Sequence, residues 1–123
     1  MSEFKLISTF LTRMGEIGQN DNLFGGVMLA WLDEAGGIFA AEVCRSPNIV
    51  TLKMDEVLFK LPVHIKDQIR IYGKVERFGN TSVSIKLEAR RHVVESNTEI
   101  LVCSTKMLFV KINKEGKAIQ IDR

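Results

Sequence analysis

Aromatic rings of the polar kind are nearly missing from this chain: Trp31 and Tyr72 are each the only residue of their type among 123. A net charge of +2 adds no basic excess. Nucleic-acid recognition needs a basic stripe interleaved with stacking rings, so binding to nucleic acid is not expected. Cysteine is equally sparse. Cys44 and Cys103 stand alone, without a C-x-x-C pair or a neighbouring His. That excludes a clustered zinc site and a disulfide framework, and leaves two buried thiols that act as small hydrophobes. No metal is expected. No uncharged run reaches the roughly 18 residues of a membrane span, so no membrane partner is expected. The opening Met-Ser-Glu-Phe-Lys-Leu puts an acid where a secretory leader carries basic residues, and the expected location is cytoplasmic. Repeats, linkers and low-complexity segments are also missing, so residues 1–123 read as a single domain, within the usual ~100–200 residues.

What is present is one long apolar segment, from Asn22-Leu-Phe-Gly-Gly to Cys44, with Asp33 in its middle. It reads as a helix capped by Asn22, opened by Gly25-Gly26 and closed before Ser46-Pro47, since proline disfavours helical geometry in the residue before it. Lying among Trp31, Leu32, Ala35 and Ile38, the Asp33 carboxylate is expected to be buried. Burying an ion costs several kcal/mol without a partner, and that cost points to a function. The first N–H groups of a helix lack intrahelical acceptors, and glycine lets a ligand oxygen approach them. Gly26 and Asp33 are seven residues apart on one face, so an oxyanion site and a carboxylate are expected in the same cleft. Gly36 and Gly37 each cost about 1 kcal/mol relative to Ala, which suggests a helix closely wrapped by a curved sheet.

The remaining pattern has period two. A first strand runs from Phe4 to about Thr12. Val50, Leu52, Met54, Val57 and Phe59 form a second strand, bulged near Asp55-Glu56. Ile69 to Val75 and Val83 to Ala89 flank a turn at Gly79-Asn80. Ile100 to Ile112 is a last long strand, with Leu101, Cys103, Thr105, Met107 and Phe109 on one face. Ile119-Gln120-Ile121 reads as a short tail strand. The fold class is α+β, one long central helix against an antiparallel sheet of five or six strands.

Four motifs occur in order: Asn22-x-Phe24-Gly25-Gly26 with Asp33 in Leu-Asp-Glu-Ala-Gly, Val50-Thr51, Phe59-x-x-Pro62-Val63, and Gly79-Asn-Thr-Ser-Val-Ser84. Together they resemble the hot-dog-fold acyl-CoA thioesterases, in the branch holding the bacterial YciA-type enzymes and the mammalian cytosolic acyl-CoA hydrolase. The resemblance spans about residues 15 to 112. It implies a hot-dog fold, hydrolysis of acyl-CoA to free acid and CoA, and no cofactor, because CoA is part of the substrate. It also implies a homodimer as the smallest active unit and a hexamer built as a trimer of dimers. Asp33 would be general base or nucleophile, and the Gly26 N–H would be the oxyanion donor.

Relatives carry Asn-x-x-Gly-[Asn/Asp]-x-[Phe/His]-Gly-Gly with a catalytic leading Asn. Aligned without a gap, that Asn falls on Gly18 and the motif's Gly on Asp21. Either Asn20 takes the role through a shortened loop, Asn22 takes it, or the role is lost. Gly25, Phe24, Thr81, Ser82 and Lys60 are the substrate-binding candidates. Arg90 and Arg91 are weaker candidates for CoA phosphates, because solvated strand faces carry such charges by default. Ser82 lacks the Gly-x-Ser-x-Gly elbow of a hydrolase nucleophile. A hot-dog dehydratase wants a His beside an acid, and His64 and His92 lie outside any motif. The rival from another class is a non-catalytic acyl-CoA-binding or sensing module.

Overall fold

The structure, a computed structural model, describes residues 3–122. Five strands and one α-helix follow in the order β1 (Lys5–Leu11), α1 (Gly25–Cys44), β2 (Ile49–Phe59), β3 (Gln68–Phe78), β4 (Ser82–Val93) and β5 (Thr98–Lys111), with two 3-10 turns, Met14–Glu16 and Gln19–Asp21, between β1 and α1. The strands form one antiparallel sheet in the order β1-β3-β4-β5-β2, which leaves β1 and β2 as its edges. Strict alternation in β3 and β4 buries Ile69, Ile71, Val75, Val83, Ile85, Leu87 and Ala89 on one face. That face receives α1, in the helix-against-sheet arrangement that the resemblance implies. Ile119–Ile121 makes two backbone hydrogen bonds, to Lys111 O and Asn80 O, but no ladder. The sheet therefore has five strands, not six.

Bulges account for the faces that alternation alone misassigns. In β5 the register shifts opposite Ala89/Arg90, so Val102 and Cys103 are both buried and Leu101 joins the outer face opposite Arg90. In β2 the register shifts between Thr51 and Lys53 and again between Asp55 and Leu58. The first shift turns Thr51 toward the helix and leaves Val50 and Leu52 42% and 62% exposed, the reverse of the simple alternation. An extra residue in one strand flips the side chains beyond it.

Within a single copy of the chain the sheet covers only one face of the helix. Met28, Trp31, Leu32, Ala35, Gly36, Phe39, Ala40 and Cys44 face the sheet, with Trp31 stacked on Phe10 of β1 at 4.7 Å between centroids. Gly26, Ala30, Asp33, Glu34 and Ile38 are exposed in a single copy of the chain. Asp33 is thus not buried by its own chain. Trp31, Leu32 and Ala35 point inward, whereas Ile38 shares the open face with the Asp33 carboxylate.

Candidate functional site

The helix begins two residues later than its Asn22 cap suggests. Phe24 is the N-cap, in extended geometry and without a side-chain cap. Asn22 belongs to a tight loop instead: Gly18 N–H donates to Asn22 O at 2.8 Å and Phe24 N–H to Glu16 O at 2.9 Å. Asn20 sits at the tip of that loop in the left-handed region, φ 62°, and is exposed. Leu23 N–H donates to Val63 O at 2.7 Å, which ties the loop to the segment following β2.

The N–H groups of Val27 and Met28 both donate to Phe24 O, at 2.9 and 3.3 Å. Those of Gly25 and Gly26 have no acceptor among the described residues. They form the positive end of a 20-residue helix, where a developing negative charge is stabilised. The Phe24 ring lies over Gly26, so close that a Cβ there would stand 2.7 Å from Cε2. Any side chain at position 26 would displace the ring. Beneath Gly25 lies Phe59, whose Cζ would meet a Cβ at 3.5 Å.

A cleft of about 440 Å³ opens at this point, lined by Asn22, Gly25 and Met28 on one side and by the Phe59–Val63 segment and Cys103 on the other. Its rim is polar, with Asn22 and Lys60; its floor is apolar. Burial pushes the Cys103 thiol up to about 11 and also raises that of Cys44. Neither is a thiolate near neutral pH, so neither has the form that attacks carbonyls.

Asp33 is outside this cleft. It stands two turns along the open face of α1, where Thr51 Oγ1 of β2 donates to its Oδ1 at 2.7 Å. The expectation of one cleft holding both groups fails within a single chain: seven residues of helix separate them by on the order of 10 Å. Thr81 and Ser82 are further still. Ser82 pairs with Val110, which pairs with Val50, so the turn is level with Thr51 but two strands away. Val83 faces the core, which puts the Ser82 side chain on the other side of the sheet. Of the candidates, then, Asn22, Gly25 and Lys60 share the cleft with Phe24 and Gly26 beside it, while Asp33, Asn20, Thr81 and Ser82 stand apart. Thr51 was missed as a partner of Asp33. The signal was its polar side chain in a Val-Thr pair, and the bulge after it hid which way it points.

The chain matches the model of the thioesterase superfamily over residues 20–95. It is 30% identical over 99 residues to an uncharacterized acyl-CoA thioester hydrolase of Zymomonas mobilis, covering 80% of this chain and 66% of that one. The acyl-CoA thioester hydrolase YciA of Escherichia coli is 29% identical over 115 residues, 91% of this chain and 86% of the relative. Among solved structures, a hexameric hotdog fold thioesterase of Campylobacter jejuni superposes with a TM-score of 0.84 at 35% identity, over 95% of this chain and 90% of that one. A hexameric thioesterase from Yersinia pestis gives 0.90 at 23%, over 100% and 99%, a likeness of fold alone. A helix cradled by one antiparallel sheet is the fold that these structures share with this one, and the chain belongs to the thioesterase superfamily as a hot-dog domain.

Proposed function

We propose that the protein hydrolyses acyl-CoA thioesters to free acid and CoA, and that two copies build each site. The observation that carries this reading is the Asp33 carboxylate, held by Thr51 on the open helix face, on the same helix as the free Gly25 and Gly26 N–H groups. A carbonyl seated on the Gly26 N–H and a water beside a carboxylate must lie within about 3–3.5 Å to react. The Asp33 of the same helix is on the order of 10 Å too far along it. A second copy with its helix antiparallel brings Asp33 of the partner subunit opposite Gly26, and symmetry does the converse. The exposed small residues Gly26 and Ala30 allow the approach. The edge strand β2, with Val50, Leu52, Leu58 and Phe59 each more than 40% exposed, supports the same pairing, because an apolar unpaired edge is a template for another strand.

In the reaction the Gly26 N–H, in the field of the helix, receives the carbonyl oxygen as it gains charge. The partner's Asp33 takes a proton from water as the water oxygen attacks the thioester carbon. The C–S bond breaks from the tetrahedral intermediate, and the sulfur leaves with the proton. Direct attack by the carboxylate, forming a mixed anhydride that water then opens, uses the same geometry. Asn22 at the cleft rim is the amide that orients the carbonyl or the water. Asn20, Thr81 and Ser82 reach a site only across copies. Lys60 is the cation at the rim, and Gly25 and Phe24 border the thioester. A thioester carbonyl is reactive enough that neither metal nor organic cofactor is required. A hexameric relative at 35% identity supports a hexamer, which with the two-copy site is a trimer of dimers. Two buried, unpaired thiols fit a reducing compartment such as the cytoplasm, and no helix of the described residues is long and apolar enough to cross a membrane.

The test is thiol release from short-, medium- and long-chain acyl-CoAs by wild type and Asp33→Ala. A fall of about 10²–10⁴-fold in the variant is expected for loss of a general base, with acyl-CoA still bound. Wild type that binds acyl-CoA and turns over none of the panel would make the protein a sensing module, with Gly18 where its relatives carry the catalytic Asn.

A further inference from the structure

Two arrays of like charge cross the outer face of the sheet, and only one is fully neutralised among the described residues. Arg70 lies directly opposite Arg90, an arrangement that is destabilising on its own. Glu99 resolves it: its two oxygens meet Arg70 at 3.1 Å and Arg90 at 3.3 Å. Glu88 adds a 2.8 Å pair to Arg90, and the Arg90 guanidinium stacks 3.9 Å over the Tyr72 ring.

A second row runs through Lys74, Lys86 and Lys106, which face one another in register on β3, β4 and β5. Lys74 rests 5.0 Å over the Phe4 ring. Lys106 has Glu76 at 3.4 Å and Glu56 at 3.8 Å. Lys86, in the middle, has no acid within salt-bridge reach among the described residues. It borders a hollow of about 190 Å³ whose other lining residues include Lys60, Lys106, Ser104, Glu56 and Glu88. Glu88 is engaged by Arg90, and Glu56 is mostly exposed and turned to Lys106 at 3.8 Å. The free donors at the hollow are the ammonium groups of Lys86 and Lys60 and the Ser104 hydroxyl, which bonds nothing among the described residues. Lys60, the residue after β2, also lines the cleft beside Gly25.

We infer that this outer hollow is a phosphate site, and that it holds the phosphates of the CoA substrate whose thioester lies at Gly26. This rests on the thioesterase reading for the identity of the ligand, though not for the existence of the site. A ligand with a thioester at one end and phosphates at the other would pass around the end of β2 at Lys60. Its phosphates would supply the counter-charge that the lysine row lacks.

The experiment compares wild type, Lys86→Gln and, as a control for lost charge, Lys114→Gln on an exposed turn. Calorimetry measures CoA against pantetheine, which lacks the nucleotide phosphates. Kinetics measure an acyl-CoA against the matching acyl-N-acetylcysteamine thioester. Losing one exposed ion pair is worth up to about fivefold in affinity. The CoA-to-pantetheine affinity ratio and the acyl-CoA-to-truncated kcat/KM ratio should therefore each fall about three- to fivefold in Lys86→Gln. Both should stay within error in Lys114→Gln, and the loss should shrink as salt is raised. Inorganic pyrophosphate should compete with CoA in wild type. Ratios unmoved in Lys86→Gln would overturn the site. Pyrophosphate that binds without weakening CoA would overturn the substrate assignment and leave the hollow to a free phosphate ligand. If wild type hydrolyses neither thioester, the enzyme reading fails on its own, and calorimetry still decides the hollow.

Discussion

The two faces of α1 read almost alike in sequence and differ in every physical respect. Inward, Leu32, Ala35 and Ala40 are fully buried and Phe39 is 4% exposed; outward, Gly26, Ala30, Asp33 and Ile38 meet solvent in a single copy. The same contrast separates adjacent glycines. A Cβ at Gly36 would stand 2.9 Å from Phe109 and 3.1 Å from Leu87 and Met107, whereas one at Gly37 meets nothing within 4 Å. The inner face is shaped by what the chain packs on itself. In the proposed site the outer face is shaped by what arrives from outside, a ligand and a second copy. Asp33, one residue after the core residue Leu32, belongs to the second category.

The sharpest break of this comparison is between those two neighbours. Leu32→Ala removes a fully buried side chain and should cost about 2–5 kcal/mol in denaturant unfolding. Asp33→Ala, exposed and outside the core, should stay within about 0.5 kcal/mol of wild type while turnover falls about 10²–10⁴-fold. If both variants lost comparable stability, Asp33 would be structural and the helix would have no separate working face.

Thr51→Val tests whether the outer face is held in place by the sheet. Its hydroxyl is the one side-chain donor on the Asp33 carboxylate among the described residues. Losing a hydrogen bond to a charged group is worth about 1.5–3 kcal/mol when it is desolvated. At this open position the lower end applies, roughly a tenfold fall in kcat. KM should change little, and Thr51→Ser should recover most of the rate. Equal loss in the Ser variant would assign the residue to packing rather than to the carboxylate.

Gly36→Ala adds a methyl against Phe109, Leu87 and Met107. Overpacking costs about 1–3 kcal/mol, offset by about 1 kcal/mol of helix propensity. A net loss of about 1 kcal/mol is expected from the urea midpoint at constant slope.

These contrasts also mark how far the sequence could be read. The alternation in Ile69–Val75 and Val83–Ala89 placed two strands and their buried faces, because nothing interrupts the pleat there. The helix from the glycines to Cys44 was legible through Gly-Gly at one end and Ser46-Pro47 at the other. What alternation could not show was the bulges. One turns Thr51 inward and another sends Leu101 outward, and each depends on pairing between distant strands. The exposure of Asp33 was illegible for a related reason. Hydrophobic neighbours around it suggested burial, but a helix that is apolar on both faces can have one covered by its own sheet and the other reserved for a partner. The motif identified Asp33, and only the coordinates separated it from the cleft at Gly25.

Gly37→Ala is the smallest and most discriminating test. In a single copy the added methyl meets open space, and replacing glycine within a helix should raise stability by up to about 1 kcal/mol. That is opposite in sign to the change at Gly36 next to it. The proposed pairing preserves this outcome. If each Gly26 faces the partner's Asp33, the two-fold axis crosses the helix midway between those positions, beside Ala30. Gly37 then lies seven residues beyond Ala30, on the order of 10 Å along the axis, where helices crossing at an angle have diverged. Thermal unfolding of Gly37→Ala, with the assembly state followed by light scattering, should therefore show a higher midpoint and an unchanged mass. A lower midpoint accompanied by dissociation would move the crossing toward the C-terminal half of α1. The partner's Asp33 could then no longer reach Gly26, and the two-copy site would have to be redrawn.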